Sequence, residues 1–335
     1  MDSRIIESVP NFSEGRDMNV IRQITDAIES VSGVKLLHVD AGEAANRTVV
    51  TFIGQPECVV EAAFRAVRKA GEVIDMRSQK GTHPRIGATD VLPLIPISGI
   101  TLDECAELAR KLAQRIADEA HIPCYCYEAS AFKPERRNLA VCRAGEYEGL
   151  SEKLVTPEKA PDFGARPFDE GIARTGCTVV GAREFLIAVN WNLNTTSVNI
   201  ARDIAAAVRE KGGGLKCTKA IGWYIDEYGI AQVSMNMTNI NVTPLHVAYE
   251  EVCRQAEARG VKVTGTEIIG LVPKQALMAA GKYFLEKQQC PTDVPEDDIM
   301  KAAIESMRLD DLRPFNPREK VIEMAGGSLM DKNEK

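Results

Sequence analysis

One segment of the sequence combines several residue types that could take part in acid–base chemistry. Residues 77–90, RSQKGTHPRIGATD, hold one histidine, three cations, two glycines and a proline. Histidine exchanges protons readily near neutral pH, and nearby cations lower its pKa and favour the neutral imidazole, which can act as a base. We therefore predict that His83 is a general acid–base residue. A polar turn in which His83 caps a neighbouring backbone group explains the same residues equally well at this point.

The other histidines and a close pair of cysteines are predicted to be structural. His38 lies in a predicted strand, His121 at a helix end and His246 in the first turn of another helix. Cys124 and Cys126 alternate with period two, which places both on one strand face as a buried pair. Because a fourth ligand beside His121 and this pair is not evident, we expect no metal.

Two charged residues outside the segment could orient the histidine or bind a carboxylate. Asp40 follows an apolar strand and could orient a base or hold a cationic group of a substrate, but a turn aspartate before Gly42 is the plainer interpretation. Arg47 carries a guanidinium group that can bind both oxygens of a carboxylate. The simpler interpretation is a structural arginine at the edge of a strand.

Neither G-x-G-x-x-G after a strand nor a Walker motif is found, which disfavours a nucleotide enzyme.

The composition is that of an ordinary globular protein. Its 335 residues are 44% hydrophobic and 27% charged, and this length favours two domains. The net charge of −7 is spread along the chain, which argues against nucleic-acid binding.

The first residues do not resemble a signal peptide, and no apolar run approaches the roughly 20 residues that span a bilayer. With nine scattered cysteines, we expect a cytoplasmic protein with reduced thiols and no membrane partner.

The elements that must position His83 follow one order twice along the chain. In the first half the predicted elements are a strand at 5–9, a helix capped by Asp17, strands at 34–39 and 47–53, a helix opened by Pro56, a strand at 91–97, a helix with a capping box at Thr101 and Glu104, and a strand at 124–127. In the second half they are a strand at 185–193, a helix at 197–209, hairpin strands at 219–225 and 230–237, a helix from 243–244 and a strand at 261–269.

This repeated βαββαβ order is the ferredoxin-like unit. It predicts the fold class α/β (α+β), with two ferredoxin-like subdomains and a ligand cleft between them. We place the subdomains at residues 1–177 and 178–327 and expect the tail, 328–335, to be frayed.

Motifs spread over nearly the whole chain resemble those of one enzyme family. They are VPNFSEG at 9–15, NRTV at 46–49, KGTHPRIG at 80–87, RAGEYE at 143–148, DFG at 162–164, VGAREFLIA at 180–188, IGWY at 221–224 and NPREK at 316–320. In this order they resemble the formiminotransferase region of vertebrate formiminotransferase–cyclodeaminases and the bacterial glutamate formimidoyltransferases.

The resemblance implies a homodimer with a folate tunnel between the two subdomains. It also implies transfer of the formimino group of N-formimino-L-glutamate to N5 of tetrahydrofolate, which gives 5-formimino-tetrahydrofolate and L-glutamate in histidine degradation. Tetrahydrofolate is then the co-substrate, no metal is needed, and a separate cyclodeaminase is expected to act next. Two alternatives stay open: a related transferase that uses N-formyl-glutamate as donor, and a folate-binding module without turnover.

The resemblance also implies which residues form the site. The family's catalytic histidine falls on His83 and its partner aspartate on Asp40. Three cations, Arg47, Lys80 and Arg85, are further candidates for the carboxylates of glutamate and folate. The family's folate-binding stretch falls on a connector made of Gly164, Ala165, Arg166, Pro167, Phe168, Asp169, Glu170, Gly171, Ile172 and Ala173.

Overall fold

A computed structural model describes residues 4–327 of the chain. Two compact units are present, a first unit that ends at Glu184 and a second unit, Phe185–Gly327. The predicted fraying of 328–335 lies outside the described residues. Among residues 4–327, no helix is both long enough and apolar enough to cross a membrane.

The first unit begins with the predicted βαββαβ core. Its elements are β1 (Ile5–Ser8), β2 (Asn11–Phe12), α1 (Met18–Glu29), β3 (Val34–Gly42), β4 (Arg47–Gly54), α2 (Pro56–Val73) and β5 (Thr89–Ser98). Strands β1 and β2 act as one interrupted strand, because both pair antiparallel with β4 on one side and β5 on the other. With β3 on the outer side of β4, the order is β3, β4, β1/β2, β5, which confirms the ferredoxin-like prediction for this half.

The first sheet then extends past β5 through parallel strands. Helix α3 (Leu102–Glu119) leads to β6 (Cys124–Glu128), and β7 (Thr178–Ala182) lies between β5 and β6, parallel to both. The sequence pattern predicts β6 but not β7. Because β7 pairs inside the first sheet, the structural division comes after Glu184 rather than after residue 177.

Helix starts follow the local chemistry of the sequence. The Asp17 side chain accepts hydrogen bonds from the backbone N–H groups of Asn19 and Val20 and begins α1. Thr101 and Glu104 form both bonds of the predicted capping box and begin α3. These bonds satisfy N–H groups that have no partner within the helix.

Two apolar clusters cover opposite faces of the first sheet. Leu92 belongs to the cluster under α1, α2 and α3, whereas its neighbour Val91 belongs to the other cluster, since successive strand residues point to opposite faces. The second cluster includes Leu150 and Ile172. These two residues come from the segment between β6 and β7, which carries the short helices α4 (Leu139–Cys142), α5 (Leu150–Val155) and α6 (Glu170–Thr175).

The second unit repeats the βαββαβ order in a sheet of its own. Its core elements are β8 (Ile187–Leu193), α7 (Val198–Val208), β9 (Thr218–Ile225), β10 (Ile230–Met237), α8 (Leu245–Glu257) and β11 (Val263–Ile269). The strand order is β11, β8, β10, β9, antiparallel throughout, which confirms the prediction for this half. Further helices follow: α9 (Lys274–Lys287), α10 (Glu296–Met307), α11 (Pro317–Lys320) and α12 (Ile322–Gly326).

Candidate functional site

His83 lies on the connection from α2 to β5, residues 74–88, which we call the histidine loop. Gly81 before His83 and Gly87 after it each lie very close to another backbone segment. A Cβ on Gly81 would lie 2.1 Å from the Ala45 carbonyl oxygen, and a Cβ on Gly87 would lie 2.2 Å from that of Cys177. No side chain fits at either position without a backbone shift, so the loop is fixed on both sides of His83.

Asn46, in the turn between β3 and β4, ties the same loop to the sheet. Its side-chain oxygen accepts from the Gly15 N–H at 3.0 Å, and its amide nitrogen donates to the Lys80 carbonyl at 2.8 Å. The Asn46 carbonyl accepts from Gln79 Nε2 at 3.0 Å. Asn46 has a φ of 46°, a left-handed conformation that asparagine tolerates better than most residues. This asparagine therefore connects three backbone segments at the start of the histidine loop.

Arg85 holds the other side of the loop. Its two terminal nitrogens donate to both carboxylate oxygens of Glu148, at 2.7 and 2.6 Å, and Nε donates to Gln79 Oε1 at 2.9 Å. This bidentate pair lowers the pKa of Glu148. Arg85 is 7% exposed, and its guanidinium is engaged by the protein itself. These bonds favour a positioning role for Arg85, and its contact with a substrate carboxylate stays a prediction.

A buried group of opposite charges, which we call the arginine–aspartate cluster, consists of Arg47, Asp90 and Arg143. Asp90 is fully buried, and its Oδ2 accepts from Arg47 Nη1 and from Arg143 Nη2, each at 2.6 Å. Its Oδ1 accepts from Arg143 Nε at 3.1 Å and from the Ile86 N–H at 2.9 Å. Arg47 Nε also donates to Asn11 Oδ1 at 2.9 Å. Burial alone would raise the pKa of Asp90, but Arg143 and Arg47 bring it below its ordinary value.

The cluster acts directly on His83. Burial is the largest cause that lowers the pKa of His83 to about 3, followed by the charges of Arg47 and Arg143, while Asp90 opposes them. Sequence reasoning expected nearby cations to lower this pKa, and the direction agrees. The cations that do so come from the cluster rather than from the loop. At neutral pH the imidazole is therefore uncharged.

The hydrogen bond of His83 indicates which ring nitrogen is basic. Nδ1 lies 2.7 Å from the carbonyl oxygen of Pro84. A carbonyl oxygen only accepts, so Nδ1 carries the hydrogen and Nε2 has the lone pair. His83 therefore presents Nε2 as its basic atom.

Asp40 lies within β3, where it pairs with Val49 of β4, two residues from Arg47. Directly paired residues and residues two apart share a face of an antiparallel sheet. Asp40 and Arg47 therefore share the face opposite Val50 and the α-helices. Asp90 is a carboxylate that acts electrostatically on His83, and the orienting role of Asp40 stays a prediction.

The predicted folate connector packs against the first unit at its ends and is exposed in the middle. Arg166 donates to Asp169 Oδ2 and to the His121 carbonyl, both at 2.8 Å, and Asp169 caps α6. Gly164 has a φ of 69°. Two residues of the connector, Ile172 and Ala173, are buried, whereas six are exposed: Ala165, Pro167, Phe168, Asp169, Glu170 and Gly171.

Tyr147 joins this connector to the histidine loop through two hydrogen bonds. The Tyr147 hydroxyl donates to the Ala173 carbonyl at 2.5 Å, and the Tyr147 N–H donates to the Arg85 carbonyl at 3.0 Å. Lys80 is exposed and lines an open pocket of about 570 Å³ with Arg85 and Glu148. The structure thus groups Arg47 with His83, and Lys80 with Arg85.

Comparison with known proteins matches almost the whole chain. Residues 5–183 match the model described as "Formiminotransferase domain, N-terminal subdomain", and residues 188–325 match "Formiminotransferase domain". The chain belongs to the formiminotransferase family. The point at which these two models divide it, between residues 183 and 188, is also where the two structural units divide.

Curated members of the formiminotransferase family are similar in sequence. Formimidoyltransferase-cyclodeaminase of Rattus norvegicus is 46% identical over 96% of this chain, which spans 60% of that relative's length. Glutamate formimidoyltransferase of Streptococcus pyogenes is 44% identical over 85% of this chain and 94% of its own. The enzyme of that name from Thermoplasma acidophilum is 42% identical over 84% of this chain and 92% of its own.

Two members of the site in this formiminotransferase chain, Asp90 and Arg143, are not predicted from the sequence. Asp90 is the last residue of the segment 77–90 and lies just after the motif KGTHPRIG, and Arg143 opens the motif RAGEYE. A buried aspartate at the start of a strand and an arginine in a turn each have common structural roles. Only their mutual contact, across 53 positions of sequence, shows that they belong together beside His83.

Proposed function

We propose that this protein is a glutamate formimidoyltransferase. It transfers the formimino group from N-formimino-L-glutamate to N5 of tetrahydrofolate, its co-substrate, and gives 5-formimino-tetrahydrofolate and L-glutamate. The observation that carries the proposal is the 44% and 42% identity to two proteins of that name, over more than nine-tenths of their lengths. We place this reaction in cytoplasmic histidine degradation, without a metal. We also propose a homodimer, which light scattering on the purified protein would test.

The proposed reaction exchanges one C–N bond for another. The N5 nitrogen attacks the formimino carbon and forms an N5–C bond, and the bond from that carbon to the glutamate nitrogen breaks. His83 Nε2 accepts the N5 proton and then returns it to the departing glutamate nitrogen, so the atoms balance without a further reactant. Acid–base assistance of this kind contributes about 10²–10⁴-fold, and holding both substrates in one orientation contributes further.

The electrostatics of His83 support a role that depends on the substrate. A base with a pKa of about 3 is uncharged at neutral pH but weak, since catalytic proton transfer is most efficient when the pKa lies near the working pH. A bound anion beside Arg47 and Arg143 would offset their positive charge and raise the pKa of His83. His83 then becomes a stronger base when the anionic donor is present.

The remaining predicted residues have separate roles in this proposal. Asp40 orients His83 or stabilises the amidinium of the donor, and the connector from Gly164 to Ala173 contacts folate. Lys80, which is exposed, attracts a carboxylate of folate. The contacts of Arg85 with Glu148 support a positioning role for Arg85 in the histidine loop.

A donor-exchange assay tests the proposed function. The purified protein is given tetrahydrofolate with either N-formimino-L-glutamate or N-formyl-L-glutamate, and glutamate release and the absorbance of the folate product are followed. We expect tetrahydrofolate-dependent glutamate release from the formimino donor. Release only from the formyl donor would replace the proposed substrate, and folate binding without any glutamate release would indicate a module without turnover.

A further inference from the structure

The arginine–aspartate cluster holds one more positive charge than negative charge. Asp90 is fully buried, Arg47 is 7% exposed, and the side chain of Arg143 is 13% exposed. Two guanidinium groups that share one carboxylate oxygen repel each other, and burial strengthens this repulsion. A second anion on the open side of the two guanidiniums would offset it.

Each arginine keeps donors that the protein does not use. Arg47 bonds through Nε and Nη1, and Arg143 bonds through Nε and Nη2. Within residues 4–327, neither Arg47 Nη2 nor Arg143 Nη1 forms a hydrogen bond. Neither atom is among the fully buried polar atoms without a partner, so both are accessible to solvent. One nitrogen of each guanidinium therefore remains without a protein acceptor and keeps some exposure to solvent.

Arg143 is held in place by more than its ion pair. The buried ammonium group of Lys153 donates to the carbonyl oxygens of Cys142 and Ala144, the two residues next to Arg143 in the chain. The Arg143 N–H donates to the Leu139 carbonyl at 2.9 Å. A cation whose backbone and side chain are both fixed loses little freedom when it binds an anion, which favours tight and oriented binding.

We propose that Arg143 and Arg47 together bind a carboxylate of the glutamyl donor, and that Asp90 is the positioning residue that holds both guanidiniums for this contact. The proposal rests on the proposed function for the identity of the donor. A carboxylate suits the site because guanidinium donors match its two oxygens. The same contact places the donor next to His83, the group on which both arginines act.

The test pairs an altered arginine with an altered donor. Arg143→Gln is compared with the unchanged protein on N-formimino-L-glutamate and on its two carboxamide analogues, N-formimino-L-glutamine and N-formimino-L-isoglutamine. We expect the unchanged protein to prefer the carboxylate by about 10- to 100-fold in kcat/KM at one of the two positions. Arg143→Gln should lose most of that preference, because the partner of the carboxylate is gone.

Arg137→Gln is the matched control. Arg137 is an exposed arginine of the same segment and forms no hydrogen bond through its side chain with residues 4–327, so this variant should keep the full preference. A preference retained unchanged by Arg143→Gln at both positions would overturn the proposal. If Arg143→Gln does not fold, Arg143→Lys keeps a charge beside Asp90 but removes the fork, and an unchanged preference in that variant overturns the proposal as well.

The pH profile separates binding next to His83 from a purely structural role. Arg143 lowers the pKa of His83, so its removal should raise that pKa and move the acidic limb of the kcat/KM profile to higher pH. An unmoved limb counts against the proposal. Arg137→Gln should leave the limb in place.

A binding experiment keeps this inference apart from the proposed function. Titration calorimetry with L-glutamate and with glutarate needs no turnover. Binding of either by the unchanged protein and its loss in Arg143→Gln would support the carboxylate site even if no transfer were found. Equal binding by both proteins, or by neither, would overturn it while leaving the transfer assay to decide the function.

Discussion

The two units of this protein share one strand order but differ in the connection that leads into the last core strand. In the first unit residues 74–88 join α2 to β5, whereas in the second unit residues 258–262 join α8 to β11. The longer connection carries His83 and is fixed by glycines and by Asn46. The comparison shows that the βαββαβ scaffold itself does not create a site, since chemistry depends on what is inserted at one of its ends.

The units also differ in the polar groups they bury. In the second unit Gln232 donates to Asn192 at 2.7 Å and accepts from Trp223 at 3.1 Å, and Asn192 donates to the exposed Asp311 at 3.1 Å. The buried members of this network are therefore neutral and paired. In the first unit Asp90 is shared by two arginines, which leaves an unbalanced positive charge. Neutral networks stabilise a sheet, whereas a surplus charge close to the surface provides a place for an anion.

The largest expected effect is the loss of transfer rate when His83 of the first unit is replaced. His83→Gln should lower the transfer rate by about 10²–10⁴-fold, because it removes the basic nitrogen and keeps a similar polar side chain. The measurement is tetrahydrofolate-dependent glutamate release, with circular dichroism to confirm folding. His246→Gln in the second unit removes a ring stacked on Tyr283 and should keep the full rate. A folded His83→Gln protein with an unchanged rate would contradict the role of His83.

The second expected effect contrasts the charged cluster with the neutral network. Asp90→Asn should destabilise the first unit by about 3–5 kcal/mol, because two buried or partly buried cations lose their shared anion. Gln232→Leu should destabilise the second unit by about 1–3 kcal/mol, because it leaves neutral groups unpaired. Hydrogen exchange followed by mass spectrometry reports each unit separately. Equal losses in the two variants would show that the charge difference between the units has no energetic consequence.

A third pair of variants tests the two unequal connections. Gly87→Ala places a Cβ 2.2 Å from the Cys177 carbonyl oxygen, so the histidine loop must shift, and we expect a rate loss of about 10²-fold. Gly260 lies in the short connection of the second unit with a φ of 74° and open space around it. Gly260→Ala should cost about 1–2 kcal/mol of stability through backbone strain and leave the rate unchanged. A rate that falls equally in both variants would show that the loss follows from stability alone.

The smallest expected effects concern the helix caps of the two units. Thr101→Ala removes the hydroxyl of a complete capping box in the first unit, and Ser197→Ala removes a single long bond, 3.4 Å, to the Ile200 N–H in the second. We expect about 1 kcal/mol or more for Thr101→Ala and less for Ser197→Ala. Hydrogen exchange at the first turns of α3 and α7 measures both. A larger loss for Ser197→Ala would reverse this part of the comparison.

Much of the fold could be predicted because it depends on local chemistry. Asp17 and Thr101 begin their helices with their own side chains, and the alternation of apolar and turn residues defines the two βαββαβ halves. Strand β7 was missed because a short strand in a parallel pairing depends on neighbours far away in sequence, here β5 and β6. The boundary between the units lies after Glu184 rather than after residue 177 for the same reason.

For the site, the sequence by itself determined the residue types and the family motifs, with His83 in a segment rich in glycines and cations. Only the tertiary structure decided which charges meet. It pairs Arg85 with Glu148, across 63 positions, and gathers Arg47 and Arg143 around Asp90 beside His83. Ion pairs of this kind leave no periodic pattern in the sequence, because their energy depends on distance and burial, and both are properties of the folded chain.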